Sequence, residues 1–392
     1  MIKGTPPPIT FLASSLLGKV PLDAQWGQTP LPVERSESFP AGRDLWTYSH
    51  YFQVIHEVIS REDHKLLLEA TQRQLAGPLV LSDIQEILVY AEKHGNLYHP
   101  AKIEVRTPRG EAQFVMNVAL TDRGRAVINS EVSALKHLNK TFSYPWLPSV
   151  YFQAEWEAVF PSQGGPEGPV SLFLADWLEG FFEFHLSCDP SDGTRKLILW
   201  DGSPKPCYLS DQQTRQVYRQ ISKILTLYYN HQTYEQIFPW HHGAGDFVVK
   251  LKGKEIEVRL VTVRQYGPLM DPFEMSIKEA LLFFFLNLSL RMRLDRLDGV
   301  GEIVWAADTC LEMTREGFLE ALEIKEREGV LPPGFQKSFL NWLRPLSQED
   351  LEERFSALLL SYHPAAPDLT VIRHHIVPHI EGVFEVLKDG RP

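Results

Sequence analysis

Residues 239–250 combine side-chain types and spacing that suit chemistry. Two adjacent histidines, His241 and His242, lead into a Gly-Ala-Gly turn, and Asp246 ends this turn before an apolar run that predicts a strand. Small residues let the backbone approach a ligand closely, because they put no bulk in the way. Imidazole titrates near neutral pH, so each histidine is a candidate general base or phosphate contact. Asp246 is a candidate metal ligand or base where the loop meets the strand.

A second strand-like run, Ile256 to Arg264, follows a glycine turn. It would form a hairpin with the run after Asp246, and this hairpin would bring Arg264 and Gln265 to the same end as the histidines. A guanidinium offers an anionic ligand a planar set of donors. We therefore expect a bound substrate to contact His242, Arg264 and Gln265.

Each of these residues also has a structural interpretation, which the sequence leaves open. The two histidines would form a pair, with one ring buried beside Trp240 and hydrogen-bonded. Asp246 would be a turn residue that accepts backbone N–H groups. Arg264 would form an ion pair with one of the 50 acidic residues. A metal site at the histidines has less support, because the sequence lacks HExxH spacing.

The composition is that of a globular protein with a sizeable core. The chain has 392 residues, a length that allows two or three structural units. Of these residues, 44% are hydrophobic and 23% are charged, which is the ordinary range of globular proteins. Its formal net charge of −11 argues against general nucleic-acid binding, since Lys and Arg neutralise phosphates. A local basic patch around Arg291 to Arg296 is compatible with this charge.

Cysteine usage and apolar runs indicate the compartment. Three isolated cysteines, Cys188, Cys207 and Cys310, provide neither a disulfide framework nor a cysteine zinc site, so we expect free thiols. The apolar run Ile9 to Leu17 follows prolines and is too short for a signal peptide. The longest apolar run, Ala280 to Leu290, is too short to span a bilayer. The sequence therefore predicts a soluble cytoplasmic protein without membrane contact.

The first quarter of the chain divides into two regions. Residues 1–45 are rich in Pro, Ser and Gly, and they predict an extended N-terminal arm that wraps the surface or is partly disordered. Residues 46–98 predict a helical extension. It includes an N-capped helix from Ser82 to Lys93, with Gly95 as its stop.

The rest of the chain predicts a small β-rich lobe at 99–178 and a helical lobe at 179–392. In the small lobe we expect a mostly antiparallel sheet, with a helix from Ala126 to Asn139 packed against it. The helical lobe contains the hairpin at 239–267, and prolines punctuate it. The helices predicted there are Asp211 to Asn230, Ser276 to Arg296, Thr314 to Arg327, Gln336 to Leu343 and Gln348 to Ser361.

This order of elements resembles the protein-kinase-like superfamily, in particular its aminoglycoside and choline phosphotransferase branch, over residues 100–300. Glu131 stands in a segment similar to the kinase helix whose glutamate orients the phosphate-binding lysine. Residues 173–180 resemble the hinge between the two lobes. Residues 241–249 resemble a shortened catalytic loop, and 260–264 lie where the second metal-binding aspartate is expected.

The resemblance implies an α+β, two-lobed fold that binds ATP and Mg²⁺ between its lobes and acts on a small molecule. His241 would take the place of the catalytic aspartate, and Asp246 that of a metal-binding asparagine. Asn117, Glu131 and Thr262 would line the nucleotide site. Asn117 falls where the family has its phosphate-binding lysine, and Thr262 where it has the second metal-binding aspartate.

Two functions are therefore open. The first is a divergent phosphotransferase, which the polar loop at 239–250 favours. The second is a pseudokinase-like protein that binds a ligand or a protein partner without phosphoryl transfer, which the replacements at Asn117 and Thr262 favour. A structural subunit with a packed cleft is a third alternative.

Two further features have open interpretations. Without a lysine partner, Glu131 would bond Asn117 or be solvated. An alternating charge run before Gly299 predicts an ion-pair network at a helix C-terminus, where the helix dipole favours arginine, and it would also suit one side of a cleft. The run consists of Arg291, Arg293, Asp295, Arg296 and Asp298.

Overall fold

The computed structural model is a mixed α and β structure, as the α+β prediction requires. It describes residues 6–15, 18–32, 45–92, 95, 97–160, 166–242, 245–269 and 275–388. The chain forms two compact units. The first comprises Met1–His137 with Pro148–Glu179, and the second comprises Leu138–Leu147 with Gly180–Pro392.

The described part of the first unit is built on a seven-stranded sheet in the order β2-β1-β3-β4-β5-β7-β6. Its strands pair antiparallel, except that β1 runs parallel to β3. Its elements are β1 (Ile9–Ser15), β2 (Gly18–Pro21), α1 (Ala24–Gly27), α2 (Tyr48–Gln74), β3 (Glu86–Ala91), β4 (His99–Thr107), β5 (Gly110–Ala119), α3 (Asp122–Thr141), β6 (Val150–Ala158) and β7 (Gly168–Asp176).

One face of this sheet forms the hydrophobic core with α2. Successive side chains of a strand point to opposite faces, so alternate residues of each strand reach the same side. On the core side they are apolar and buried, and α2 contributes an equally apolar stripe. Examples are Ile87, Val89, Ile103, Val105, Phe114 and Met116 from the strands, with Val54, Ile55 and Val58 from the helix.

The predicted antiparallel sheet with its helix is confirmed for the described residues between 100 and 175. Strand β5 pairs antiparallel with both β4 and β7, and β6 pairs antiparallel with β7. Helix α3 is fixed to this sheet by polar contacts. Arg125 donates to the carbonyl of Pro169 at 3.0 Å, and Gln153 donates to Asn129.

The helix predicted from Ser82 to Lys93 is wrong, because strand β3 occupies Glu86–Ala91. This strand is buried on both faces, so its apolar residues are nearly continuous and also fit helical spacing. The arm predicted at 1–45 also needs correction. Residues Ile9–Ser15 and Gly18–Pro21 form β1 and β2 of the sheet, while residues 33–44 lie outside the described part.

The second unit is mainly helical in its described part, with short antiparallel strand pairs between its helices. Strands β12 and β13 form the predicted hairpin, and β11 pairs with β14. Its elements are β8 (Phe184–Cys188), β9 (Arg195–Leu199), β10 (Cys207–Tyr208), α4 (Asp211–Leu227), β11 (Glu235–Ile237), β12 (Phe247–Lys252), β13 (Glu255–Leu260), β14 (Tyr266–Pro268), α5 (Ile277–Met292), β15 (Leu294–Arg296), β16 (Ile303–Trp305), α6 (Asp308–Arg327), α7 (Phe335–Leu343), α8 (Gln348–Leu360) and α9 (Asp368–Lys388).

Helix boundaries in this unit differ from the predictions in instructive ways. Helix α4 ends at Leu227, before the predicted Asn230, and its N-cap is Ser210, whose hydroxyl accepts the N–H of Gln213. Helix α5 ends at Met292, where strand β15 begins instead of a continued helix. Helix α9 was not predicted, and it contains Pro378 within its span.

The segment Leu138–Leu147 belongs to the second unit, although its residues 138–141 form the last turn of α3. The carbonyl of Trp146 accepts the N–H of Leu260 at 3.1 Å, and the carbonyl of Tyr144 accepts the hydroxyl of Tyr228 at 3.1 Å. The hydroxyl of Tyr144 donates to Glu328 at 2.8 Å. These bonds fix the end of β13, from which residues 261–264 continue.

All three cysteines are free, as predicted. Cys188 is exposed, Cys207 is half-buried and Cys310 is buried. The thiol of Cys310 donates to the carbonyl of Met292 at 3.0 Å, and burial raises the pKa of this thiol to about 12. Cys310 is therefore a packing residue of α6 and an unreactive thiol.

The second unit depends on the close approach of α4 and α6. Ser222 donates to the carbonyl of Thr314 at 2.6 Å, and a Cβ added at Gly317 would lie 2.1 Å from the carbonyl oxygen of Arg219. No side chain fits between backbones at that separation, so only glycine can occupy this position without a steric clash.

We expect Gly317→Ala to lower the melting temperature by roughly 2–10 °C, because the helices must separate to admit a methyl group. Differential scanning calorimetry measures this change. Gly267→Ala is the matched control, since a Cβ there meets nothing within 4 Å, and it should leave the melting temperature nearly unchanged. Equal melting temperatures for the two variants would contradict the close packing.

Candidate functional site

Asp246 lies at the centre of a polar cluster in the second unit. One of its carboxylate oxygens accepts the backbone N–H of His241 at 2.7 Å and also forms an ion pair with Arg264. The carbonyl of Asp246 accepts the N–H of Val261 at 2.8 Å. The structure therefore brings Asp246 and Arg264 together, as the hairpin predicted. Gly243 and Ala244 of the predicted turn lie outside the described residues.

The environment of Asp246 is that of a structural residue. The residue is 1% exposed, and burial raises the pKa of its carboxyl, although Arg264 and the His241 N–H oppose this shift. One carboxylate oxygen carries both contacts, and the other has no hydrogen-bonding partner among the described residues. Two structural roles were open from the sequence: Asp246 as an acceptor of backbone N–H groups, and Arg264 in an ion pair with an acidic residue. The structure shows both, and Asp246 is the partner in each.

His242 is fully buried in a second polar contact. Its Nε2 lies 3.1 Å from the carbonyl of Met292, which can only accept, so this nitrogen carries the hydrogen. Its Nδ1 lies 3.6 Å from Asp295, a residue that is itself 0% exposed. Asp295 also accepts the N–H of Leu186 at 2.8 Å. Burial would raise the pKa of Asp295, but His242 and the Leu186 N–H outweigh burial, so the pKa of this carboxyl is lowered.

His241 differs from its neighbour because its ring has unused hydrogen-bonding capacity. Neither ring nitrogen has a hydrogen-bonding partner among the described residues. Burial lowers the pKa of His241 to about 3, and the neighbouring His242 and Arg291 act in the same direction. A base of such low pKa takes up a proton poorly near pH 7, so the ring suits a neutral contact better than general-base catalysis.

Thr262 and Gln265, the other predicted residues of this loop region, contribute less to the polar cluster around Asp246. Thr262 is half-buried and Gln265 is exposed. The backbone carbonyl of Gln265 accepts the N–H of Phe238 at 3.2 Å, which pairs the segments before and after the loop. Within the described residues, no hydrogen bond joins either side chain to Asp246.

Asn117 and Glu131 lie in the first unit. Asn117 is on β5 and is 9% exposed, opposite Phe173 of β7. Glu131 on α3 is 1% exposed and accepts the hydroxyl of Tyr98 at 3.0 Å. The solvated alternative for Glu131 is therefore wrong.

Lys102 is a candidate residue that the sequence analysis did not identify. It lies on β4 opposite Val115 of β5, so it shares a sheet face with Asn117, two residues further along. It is 6% exposed, and its Nζ lies 2.8 Å from Glu179 and 3.9 Å from Glu104. The sequence gives little sign of this burial, because Lys102 stands in a run that alternates charged and apolar residues, as a strand with one exposed face does.

The charge run after α5 forms ion pairs, as predicted, but with partners distant in sequence. Arg291 pairs with Asp368, and it also donates to the carbonyl of Trp240 at 2.9 Å. Arg293 donates from two guanidinium nitrogens to Asp308, each at 2.9 Å. Arg291 therefore fixes the residue that precedes His241, and both ion pairs reach partners outside the run.

Comparisons with known protein families and with curated proteins give no match for this chain. Among the described residues, none of the helices is both long enough and apolar enough to cross a bilayer. The same residues include no group of three or more His, Cys, Asp or Glu placed to hold a metal ion.

We expect Asp246→Asn to lower stability by about 1–3 kcal/mol, less than for a fully buried ion pair because Arg264 is 27% exposed. The exposed turn carboxylate Asp201→Asn is the matched control and should change stability by under about 0.5 kcal/mol. Thermal unfolding of both variants measures the difference. Unchanged stability in Asp246→Asn would show that this carboxylate is not structural.

His379 is another buried histidine, and it makes the stability of the fold sensitive to acid. It is 2% exposed, with Nε2 3.0 Å from the hydroxyl of Ser289. Burial, assisted by Arg293, lowers the pKa of His379 to about 3. Its neutral form therefore stabilises the fold fully above about pH 6.5, and this stabilisation is lost as pH falls toward 3.

We expect His379→Gln to reduce the loss of unfolding free energy between pH 6.5 and 4.5 by about 2 kcal/mol, because one unprotonated buried histidine is removed. Urea unfolding at pH 6.5, 5.5 and 4.5 compares the variant with the parent chain. Parallel pH dependences would contradict a buried neutral imidazole at this position.

Proposed function

We propose that this chain is a pseudokinase-like binding protein, which holds a ligand or a protein partner and does not transfer a phosphoryl group. The observation that carries the proposal is the state of Asp246. Its carboxylate is 1% exposed and is engaged by Arg264 and by the N–H of His241. A carboxylate in that position supports the fold and is not available to hold Mg²⁺ or to orient an attacking hydroxyl.

The replaced positions support the same conclusion. Phosphoryl transfer needs a lysine for the phosphates and acidic or amide side chains for the metal. Asn117 and Thr262 stand at two of these positions and carry no charge. His241 is held neutral with a pKa of about 3, so it is a poor substitute for a catalytic carboxylate.

The ligand class that fits the first unit is a nucleotide. Lys102 supplies a cation on the sheet face that it shares with Asn117, and its partner Glu179 has a side chain that is 63% exposed. Glu179 can therefore turn into solvent while Lys102 exchanges its carboxylate for a phosphate. The described residues include no group of three or more His, Cys, Asp or Glu placed to hold Mg²⁺ beside it. We therefore propose nucleotide binding that does not require the metal.

A divergent phosphotransferase acting on a small molecule is the second candidate. The unused ring nitrogens of His241 favour it, because they could contact a substrate hydroxyl or a phosphate. In that function Arg264 and Gln265 would contact the substrate, and ATP with Mg²⁺ would be the phosphoryl donor.

We expect ATP to raise the melting temperature equally with and without Mg²⁺. A nucleotide at 100 times its dissociation constant stabilises by about 2.7 kcal/mol. Lys102→Met should abolish most of the shift, because it removes the cation that contacts the phosphates. Lys136→Met, at an exposed lysine of α3, is the matched control and should retain the shift.

The same samples separate the two functions. If ADP forms only in the presence of Mg²⁺, and if His241→Ala abolishes this reaction, then the function is phosphoryl transfer and not binding alone. An ATP shift that persists in Lys102→Met would show that this lysine does not contact the phosphates. Absence of any shift with ATP or GTP would exclude nucleotide as the ligand.

A further inference from the structure

A small cleft lies in the second unit, where the end of α4, the β11–β14 pair and the first turns of α5 meet. We name it the Tyr229 cleft. The described residues that line it include no charged side chain, and most of them are apolar or aromatic. Its main lining residues are Tyr229, Gln236, Leu269, Met275, Phe283 and Phe284.

The hydroxyl of Tyr229 has no hydrogen-bonding partner among the described residues, although the residue is only 2% exposed. Its position is fixed, because its ring packs on that of Phe284 with centroids 4.5 Å apart and its carbonyl accepts the Lys325 ammonium at 2.8 Å. Burial raises the pKa of this phenol, so the hydroxyl is neutral and can both donate and accept. A buried polar group without a partner costs stability, and a ligand in the cleft that this residue lines would supply the partner.

The amide of Gln236 is a second polar group in the cleft, and this residue is 5% exposed. Its Oε1 accepts the amide of Asn287 at 3.3 Å, and Asn287 in turn accepts the hydroxyl of Tyr362 at 2.7 Å. These bonds use the acceptor of the Gln236 amide and leave its Nε2 as a donor. The cleft therefore offers two neutral hydrogen-bonding groups within apolar walls, which is the composition of small-molecule sites.

We propose that the Tyr229 cleft binds the hydroxyl end of a small uncharged phenol. The enclosed part of the cleft has room for a group of about the size of one water molecule, which a hydroxyl fills. Phe283, Leu269 and Met275 are half-buried, so their outer faces are open to the ring of such a ligand. Aromatic pairs and contacts between sulfur and a ring favour an aromatic body over an aliphatic one.

This ligand differs in kind from the nucleotide of the proposed function. A phosphate or carboxylate would enter a cleft whose described lining has no cation, and burying an unpaired charge is costly. The Tyr229 cleft is therefore a further site, selective for neutral molecules.

Ligand-observed NMR on the full chain, with p-cresol, toluene and cyclohexanol as probes, tests the proposal. We expect p-cresol to bind roughly fivefold more tightly than toluene, as one additional hydrogen bond provides. Tyr229→Phe should abolish this preference and leave toluene binding unchanged, because it removes only the hydroxyl. Tyr208→Phe is the matched control and should retain the preference, since it removes a hydroxyl of the same unit that donates to the carbonyl of Cys188.

The melting temperature of Tyr229→Phe is a second measurement. It should not fall, because the hydroxyl that is removed has no partner. A clear fall would show that the fold already satisfies this hydroxyl, and it would overturn the proposal.

The probes give the other contrary outcomes. Absence of p-cresol binding, equal affinities for p-cresol and toluene, or loss of the preference in both variants would exclude the hydroxyl contact. Cyclohexanol that binds as tightly as p-cresol would exclude an aromatic ligand. Displacement of p-cresol by ATP would overturn a site separate from that of the nucleotide, whereas p-cresol binding without any ATP shift would leave this site standing when the proposed function fails.

Discussion

The ion pair between Asp246 and Arg264 is the constraint on which the polar centre of the second unit depends. Asp246 precedes β12 and Arg264 follows β13, so the pair closes the open end of their hairpin. The same carboxylate accepts the N–H of His241 and thereby fixes the residues that enter the loop. An ion pair that holds three segments at once contributes more to a single defined geometry than to catalysis.

A second buried contact extends this organisation. His242 spans from the carbonyl of Met292 to Asp295, and Asp295 accepts the N–H of Leu186. The end of α5, the strand after it and the strand β8 are thus linked through one imidazole and one carboxylate. Loss of either side chain would leave the other buried group without this contact and would disturb the framework.

The sequence predicted elements with strong local signals and missed those fixed by tertiary contacts. The hairpin at 247–260 was readable because alternation and a glycine turn specify it locally. Strand β3 was read as a helix, because burial on both faces removes the alternation. Asp295 could not be assigned to His242 from spacing, since 53 positions separate them in the sequence. Lys102 was missed for the same reason, because its partner Glu179 is equally remote.

The segment Leu138–Leu147 has a consequence for how the chain acquires its structure. It belongs to the second unit, yet residues of the first unit precede and follow it. Its partners Leu260 and Glu328 are made much later during synthesis. The aromatic side chains of Phe142, Tyr144 and Trp146 therefore leave the ribosome before the surfaces that bury them exist. For that interval they are exposed aromatic groups, of the kind that chaperones bind.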